Sequence, residues 1–285
     1  MDVVETVTAA CTFHGEGPVW DRRNQRLLFV DMFAGEVLAL DGAHNVTRHR
    51  VDANVAATIR PRADGGYLVG VEHGLVTVNE DLSDVHPLKF SISQALRMNE
   101  GGCDDEGRFY IGSMGHESEP KIGSLYRVDL DLSVHQVMSG ITIPNGIQWS
   151  SNGDVAYYID SATSRIDVLD FDRRSGTFGA RRTLVHFEME DGIPDGMTID
   201  SEGGLWVAMF GASAVRRYDP DGALTCTIAM PSRGVTSCAF GGRDLDVLYV
   251  TTSQAGADLA HDRTAGSLLA VNPGIRGIDL PDFAG

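Results

Sequence analysis

Three short motifs of this 285-residue chain place an oxygen-bearing side chain directly before a glycine. They are Glu16 in GEGPVWD, Asn145 in IPNGIQWS and Asp195 in IPDGMTID, and each leads into an apolar run. Residues of these types before glycine are common turn formers, which is the purely structural explanation. Three motifs whose side chains share only an oxygen favour instead a site for a hard cation, which binds carboxylate and amide oxygens. The glycine would let the chain enter that site without a clashing Cβ, because glycine freely takes the backbone angles of a tight bend.

The spacing of these residues indicates that they occupy equivalent positions. Four residues each stand eight positions before a glycine or asparagine of the following turn: Glu16, Asn99, Asn145 and Asp195. The same position in two further repeats falls near Ala57 or Thr58 and near Thr236. Equivalent positions of a repeated, closed fold are expected to lie together.

A repeated pattern of apolar runs and polar turns extends along the chain. Six runs rich in β-branched and aromatic residues start about 40 to 50 residues apart, and each is followed by a further run. The runs are 26–32, 66–72, 108–114, 155–161, 204–210 and 247–253. This pattern predicts an all-β fold, a six-bladed β-propeller. The alternative, a pair of β-sandwich domains, lacks a Pro/Ser-rich or low-complexity linker.

We expect residues 1–285 to form a single propeller domain, in which a segment at about 4–13 adds a strand to the last blade. The innermost strands of a propeller line a central channel, and their starts crowd together at one mouth. The four oxygen-bearing residues should therefore converge there, although they are far apart in the sequence.

The chain is strongly acidic, with a formal net charge of −17. This charge repels phosphate backbones and anionic lipid, so we expect neither nucleic-acid nor membrane binding. No window approaches the roughly 18 apolar residues of a membrane span, and the N-terminal residues do not resemble a secretory signal. The four cysteines lack a CxxC spacing, which favours reduced thiols in a cytoplasmic protein. We expect a monomer or a small homo-oligomer.

Six longer stretches of the chain are GEGPVWD, RMNEGGCDDEGRFYIGSM, PNGIQWSSNGDVAYYIDS, PDGMTIDSEGGLWVAMF, GGRDLDVLYVTTS and AGSLLAVNPGIRG. Together they resemble the senescence-marker protein, gluconolactonase and regucalcin family. The resemblance runs from about residue 11 to residue 276, and the combination is more specific than any one stretch. It implies a six-bladed propeller and a metal-dependent sugar lactonase.

The resemblance also implies roles for individual residues. The implied metal ligands are Glu16, Asn145 and Asp195. The implied substrate-binding residues are Arg97, Asn99 and Glu117, the last at a position where some members have a carboxylate that contacts the substrate. Many members have Asn-Asp-Gly where this chain has Asn99-Glu100-Gly101, and the sequence leaves open whether the extra methylene of Glu100 alters the substrate pocket.

A lactone is a cyclic ester, and its hydrolysis needs a polarised carbonyl and an activated water. A divalent cation held by three side chains would leave coordination positions for both. We expect Asp195 to act as general base as well as ligand, since it would lie close to the water. An all-oxygen ligand set favours Ca²⁺, with Mg²⁺, Mn²⁺ and Zn²⁺ as alternatives. The expected substrate is a small sugar lactone, opened to its aldonic acid.

Two other functions stay open at this point. One is a metal hydrolase of the same fold that acts on other esters or on phosphotriesters, and the other is a calcium-binding propeller without catalysis. The chain contains no GxSxG, HExxH or P-loop motif, which argues against a nucleophile-elbow serine hydrolase, a zincin and a P-loop NTPase.

Overall fold

The fold is built almost entirely from strands. The computed structural model describes residues 3–285. In chain order the strands are β1 (Glu5–Thr6), β2 (Gly15–Asp21), β3 (Arg26–Asp31), β4 (Glu36–Leu40), β5 (Val46–Arg50), β6 (Ala56–Pro61), β7 (Tyr67–Val71), β8 (Gly74–Val78), β9 (His86–Ser91), β10 (Leu96–Cys103), β11 (Phe109–Gly115), β12 (Gly123–Val128), β13 (Val134–Ile141), β14 (Pro144–Trp149), β15 (Val155–Asp160), β16 (Arg165–Asp172), β17 (Thr177–His186), β18 (Ile193–Ile199), β19 (Leu205–Phe210), β20 (Ala214–Tyr218), β21 (Leu224–Ala229), β22 (Val235–Gly241), β23 (Val247–Thr252) and β24 (Leu269–Val271).

Helical structure within residues 3–285 is limited to three short 3₁₀ turns. They are Met32–Ala34, Ser161–Thr163 and Met189–Asp191. Within the same part of the chain, no helix is long and apolar enough to cross a membrane.

The strands form six four-stranded antiparallel sheets. Five sheets take consecutive strands, β2 to β5, β6 to β9, β10 to β13, β14 to β17 and β18 to β21. The first strands of the sheets contact one another in turn, β2 with β6, β6 with β10, β10 with β14, β14 with β18, and β18 with β22. Strand β22 in turn contacts β2, so the ring closes. The predicted six-bladed β-propeller is confirmed.

The last blade contains strands from both ends of the chain. Its order is β1, β24, β23 and β22, and Glu5 and Thr6 of β1 stand opposite Ala270 and Leu269 of β24. The strand is shorter than the predicted segment 4–13, although backbone hydrogen bonds continue from Cys11 N–H to the carbonyl oxygen of Gly266. These contacts join the first blade to the last.

The turns inside the blades use glycine where the backbone requires a positive φ. Gly203, between β18 and β19, has φ +79° and donates its N–H to the carbonyl of Asp200 at 3.0 Å. A left-handed conformation of this kind costs glycine little. The Asp200 carboxylate accepts further hydrogen bonds from the backbone N–H of Gly204 and from Trp206 Nε1. The turn is thereby fixed to the strand that follows it.

Close packing between blades explains the glycines that follow the three predicted ligands. A Cβ on Gly196 would lie 2.0 Å from Ser237 Oγ, and one on Gly146 would lie 2.4 Å from Met197 Cβ, both on the next blade. Only Gly17 of the three has a φ in the left-handed region, +52°. The expectation that a Cβ would clash at these positions is therefore confirmed, but at Gly146 and Gly196 the clash is with the neighbouring inner strand, and the backbone angle expected of a tight bend is found only at Gly17.

The C-terminal segment closes the other end of the channel. A cavity of about 180 Å³ lies there, between the later residues of the inner strands and residues 278–282. Phe283 is completely buried, and its N–H donates to the carbonyl of Pro61 at 2.9 Å. The inner strands begin at the opposite mouth.

Candidate functional site

The four oxygen-bearing residues predicted to converge do so at the starts of the inner strands. They line a cavity of about 260 Å³, whose polar residues are His14, Glu16, Arg97, Asn99, Ser118, Asn145, Ser161 and Asp195. Glu16, Asn99 and Asn145 are at most 5% exposed. These side chains are therefore almost fully shielded from solvent, although they line an open cavity.

A bulge in each inner strand positions these residues. The register of β14 against β15 shifts between Pro144 and Ile147, and that of β18 against β19 shifts between Pro194 and Met197. Corresponding shifts occur at the starts of β2, β6, β10 and β22. A bulge turns one residue out of the alternating pattern and redirects its side chain. The repeated bulge is therefore the reason why the eight-residue spacing places these side chains together.

Two aspartates hold the strands that enter the site. Asp31 accepts hydrogen bonds from the N–H groups of Phe13 and His14, at 2.9 and 3.1 Å. Asp160 does the same for the N–H groups of Thr142 and Ile143, at 3.0 and 2.9 Å. In both blades the carboxylate satisfies backbone donors that precede a predicted ligand, which limits the movement of that ligand.

A chain of hydrogen bonds orients the amides of the site. Arg97 Nη1 donates to Asn99 Oδ1 at 2.6 Å, and Asn99 Nδ2 donates to Asn145 Oδ1 at 2.9 Å. Asn145 Nδ2 donates to Ser161 Oγ at 2.7 Å, and this hydroxyl donates to the carbonyl of Pro194 at 2.6 Å. Since Ser161 accepts from the amide nitrogen, Asn145 is held with its oxygen toward Asn99 Nδ2.

The two carboxylates of the site lack a cationic partner that matches their charge. Burial raises the pKa of Glu16 well above its usual value, and the charges of Asp195 and Glu100 raise it further. Burial also raises the pKa of Asp195, again with a contribution from Glu100. Arg97 opposes these shifts only in part, and burial lowers its own pKa. The site therefore concentrates negative charge that a bound cation would neutralise.

His14 lies beside Glu16 without supplying a positive charge. Its Nε2 is 3.8 Å from Glu16 Oε1, and its Nδ1 is 2.7 Å from Ser253 Oγ. Burial, with a contribution from Arg97, lowers the pKa of His14 to about 4, so the imidazole is neutral at pH 7. Within residues 3–285 no Lys or Arg forms a salt bridge with Glu16 or Asp195.

These residues fit a divalent cation with oxygen ligands. No three His, Cys, Asp or Glu side chains of the described chain cluster closely enough to hold a metal by themselves. A metal here would therefore depend on the amide oxygen of Asn145 beside the carboxylates of Glu16 and Asp195. Two buried carboxylates and one oriented amide oxygen form a donor set suited to a hard cation.

Two further carboxylates, the predicted substrate contact Glu117 and Glu100 next to Asn99, are not among the residues that line the site cavity. Glu117 is exposed in the loop between β11 and β12, and its backbone N–H contacts Glu119, so its role toward a substrate stays a prediction. Glu100 is buried 3.9 Å from Arg60 in the channel, and its Oε2 has no hydrogen-bond partner. Burial raises the pKa of Glu100 to about 7.

Ser161 and Arg60 were not predicted from the sequence. Ser161 directly follows the strand-ending Asp160, which is the only local signal of its position. The contacts of Arg60 with the carbonyl of Gly101 and with Glu100 join β6 to β10, and nothing in either segment alone indicates them.

Comparison with known proteins decides the family. Residues 14–254 match the model of the SMP-30/Gluconolactonase/LRE-like region. The chain belongs to this family. Regucalcin from Bos taurus is 36% identical over 284 residues, which cover 95% of each chain. A Bacillus subtilis protein named "Putative sugar lactone lactonase YvrE" is 36% identical over 249 residues, or 84% of this chain and 83% of that one.

A solved structure shows the same fold. The crystal structure of regucalcin from Agrobacterium tumefaciens, described as a calcium-binding protein, aligns with a TM-score of 0.91 at 25% identity. The alignment covers 98% of this chain and 96% of the other. The family member and the present chain therefore share the arrangement of all six blades.

Proposed function

We propose that this family member is a metal-dependent lactonase that opens small sugar lactones to the corresponding acids. The observation that carries the proposal is the pair of buried carboxylates, Glu16 and Asp195, beside the oriented oxygen of Asn145 in an open cavity. The sugar lactone lactonase name of the Bacillus subtilis relative supports the reaction. The cavity of about 260 Å³ suits a single ring.

Glu16, Asn145 and Asp195 would hold the cation, and Ca²⁺ is favoured because the donors are all oxygen. The calcium-binding description of the Agrobacterium tumefaciens regucalcin supports the same choice. Zn²⁺, Mn²⁺ and Mg²⁺ are the alternatives. When bound, the cation would polarise the lactone carbonyl and favour deprotonation of a water molecule.

The protein's own residues account for the remaining chemistry. Asp195 accepts a proton from the attacking water as its oxygen bonds to the carbonyl carbon. The ring C–O bond then breaks, and the released ring oxygen takes up a proton, which yields a hydroxy acid. Arg97 and Asn99 orient the substrate, because a guanidinium donates in a fixed plane and an amide both donates and accepts. The low exposure of these groups limits competition from bulk water.

The test is lactone hydrolysis, followed with a pH indicator, on protein stripped of metal. Pentono- and hexonolactones are assayed with and without Ca²⁺, Mn²⁺, Mg²⁺ and Zn²⁺, and Asp195→Ala is the control. Turnover that needs a cation and is absent from the variant supports the proposal. Tight cation binding without turnover of any lactone would instead favour a calcium-binding role, as the Agrobacterium tumefaciens regucalcin is described.

A further inference from the structure

The cavity at the end of the channel opposite the site, here called the far cavity, is formed by the later residues of the inner strands. It measures about 180 Å³ and lies against residues 278–282. A second compartment of about 280 Å³ adjoins it, since Cys103 and Gln148 line both spaces. Neither compartment shares a lining residue with the site cavity, so the two ends of the channel hold separate spaces.

Apolar side chains from several blades form a large part of the far cavity wall. Val19, Ala239 and Phe240 are at most 6% exposed, and they belong to the inner strands of the first and last blades. Trp20 and Leu280 extend this surface. A concave apolar wall that includes aromatic rings and a few polar groups is typical of a site for a small organic molecule.

The far cavity wall also contains a buried cation, Arg60. Arg60 is 8% exposed, and its Nη1 donates to Thr58 Oγ1 and to the carbonyl of Ile59, at 2.9 and 2.7 Å. Its one salt-bridge partner within residues 3–285 is Glu100, whose Oε1 lies 3.9 Å away, beyond hydrogen-bonding distance. A buried cation needs a close partner of opposite charge, because water no longer stabilises it.

One N–H of the Arg60 guanidinium has no acceptor in the part of the chain that the structure describes. The hydrogen bonds of Arg60 all start from Nη1 and Nη2, so Nε–H is left over. The incomplete pairing and the vacant donor belong to the same group. Both would be met by an anionic oxygen of a ligand in the far cavity.

The other charged groups of the far cavity are exposed to solvent. Arg22 and Asp279 pair at 2.5 Å, with side chains that are 61% and 49% exposed. Asp282 is exposed as well. Solvent and salt screen charges of this kind. Arg60 is therefore the charge that would act on a ligand inside the far cavity.

The segment that covers the far cavity is fixed at its two ends. The N–H of Gly277 donates to the carbonyl of Leu245 at 2.8 Å, and that of Phe283 donates to the carbonyl of Pro61 at 2.9 Å. Between these anchors, residues 278–282 form no backbone hydrogen bond with any residue in 3–285. A segment with so few hydrogen bonds opens at low cost, which gives a ligand a way in.

We propose that the far cavity is a second binding site, which takes a small aromatic monocarboxylate. The carboxylate accepts a hydrogen bond from Arg60 Nε and supplies the opposite charge, and a guanidinium is well suited to this partner. The aromatic ring packs against Val19, Phe240 and Leu280, where burial of apolar surface and contact between rings stabilise it. This inference does not depend on the proposed lactonase function.

The test is isothermal titration of the whole chain with benzoate and with benzamide, which has nearly the same shape but no charge. Arg60→Gln removes the cation of the far cavity. Arg97→Gln is the matched control, because Arg97 is buried to the same degree, 9% exposed, but lines the site cavity. Each titration is run with EDTA and with Ca²⁺, since benzoate held by a cation in the site cavity would need Ca²⁺. Thermal unfolding verifies that both variants are folded.

We expect benzoate to bind the wild type equally well with EDTA and with Ca²⁺, and benzamide to bind at least about 10-fold more weakly. Arg60→Gln should raise the Kd for benzoate by about 10- to 100-fold, as for loss of a hydrogen bond to a charged group, and Arg97→Gln should leave it unchanged. Should Arg60→Gln not fold, Ala239→Leu replaces it, because Ala239 lines the far cavity and a larger side chain fills it.

Three results would overturn the proposal. Absence of benzoate binding would show that the far cavity takes no such ligand. Equal Kd values for benzoate and benzamide would show that Arg60 does not recognise the carboxylate. Binding that needs Ca²⁺, or that is lost in Arg97→Gln, would place benzoate in the site cavity.

Discussion

At the scale of single residues, the site depends on atoms that hold the predicted ligands as much as on the ligands themselves. Ser161 accepts a hydrogen bond from Asn145 Nδ2 and donates one to the carbonyl of Pro194. The amide is thereby fixed with Oδ1 accepting a hydrogen bond from Asn99 Nδ2. Partners of this kind tune metal affinity although they do not touch the metal.

Replacement of Ser161 by alanine should weaken cation binding by about 10-fold or more, because the Asn145 amide loses its orienting partner. Isothermal titration of the metal-stripped protein with Ca²⁺ measures the change. Ser267→Ala is the matched control, since Ser267 is also buried but its hydroxyl has no hydrogen-bond partner. An unchanged Kd in Ser161→Ala would show that the amide is oriented by other contacts.

The stability of the metal-free protein should fall as pH rises above the usual carboxylate range. Burial raises the folded-state pKa values of Glu16 and Asp195 above their ordinary 4.5 and 3.8. At a pH between the ordinary pKa and the raised pKa of each group, the folded state therefore binds more protons than the unfolded state. The free energy of unfolding then decreases with increasing pH across that window. Neutralisation of the carboxylates by Ca²⁺ removes this loss.

Thermal unfolding with EDTA and with Ca²⁺, at pH 5 and at pH 8, checks this expectation. The rise in Tm on addition of Ca²⁺ should be larger at pH 8 than at pH 5. The double variant Glu16→Gln/Asp195→Asn should lose both the rise and its pH dependence. An equal rise at both pH values in the wild type would mean that Ca²⁺ binds elsewhere.

At the scale of elements, the inner strands combine a bulge with a glycine that permits contact between blades. The bulge directs the ligand into the channel, and the glycine after it lies against the next inner strand, as Gly196 lies against Ser237. The equivalence of the four ligand positions could be predicted from the eight-residue spacing, because the same hairpin is repeated in each blade. The need for a residue without a Cβ after each ligand could be predicted as well. The neighbouring blade as the source of the clash could not, since it depends on the distance between blades.

Gly196→Ala should destabilise the protein by about 1–3 kcal/mol, the usual range for an overpacked position. A Cβ at this position would lie 2.8 Å from Ser237 Cα, so movement of a side chain alone cannot relieve the clash. Urea denaturation measures the free energy of unfolding. Gly42→Ala is the control, because a Cβ there meets nothing within 4 Å. Equal stabilities of the two variants would contradict the packing argument.

At the scale of the whole molecule, the two ends of the chain complete the structure in different places. Strand β1 joins the last blade, while Phe283 and its neighbours cover the channel mouth opposite the site. The repeated runs allowed the ring and the convergence of Glu16, Asn99, Asn145 and Asp195 to be predicted. The C-terminal cover was not predicted, because it arises from contacts between segments that share no repeated pattern.

Phe283→Ala should lower the free energy of unfolding by about 3–5 kcal/mol, as expected for loss of a fully buried phenylalanine. The Kd for Ca²⁺ of the folded variant should be unchanged, since Phe283 lies at the other end of the channel from the ligands. Urea denaturation and isothermal titration measure the two quantities. Leu224→Ala, at a side chain that is 52% exposed, is the control for stability. A weaker Kd would indicate that the two mouths are coupled.

The most direct test of a cation-dependent lactonase measures binding and turnover on the same metal-stripped sample. Ca²⁺ is titrated while glucono-1,5-lactone hydrolysis is recorded, and the Kd is determined separately by calorimetry. We expect the half-maximal rate at a Ca²⁺ concentration equal to the Kd, and expect Asn145→Ala to shift both values together. Hydrolysis that persists without any divalent cation, or a rate that does not follow occupancy of this site, would contradict the proposed function.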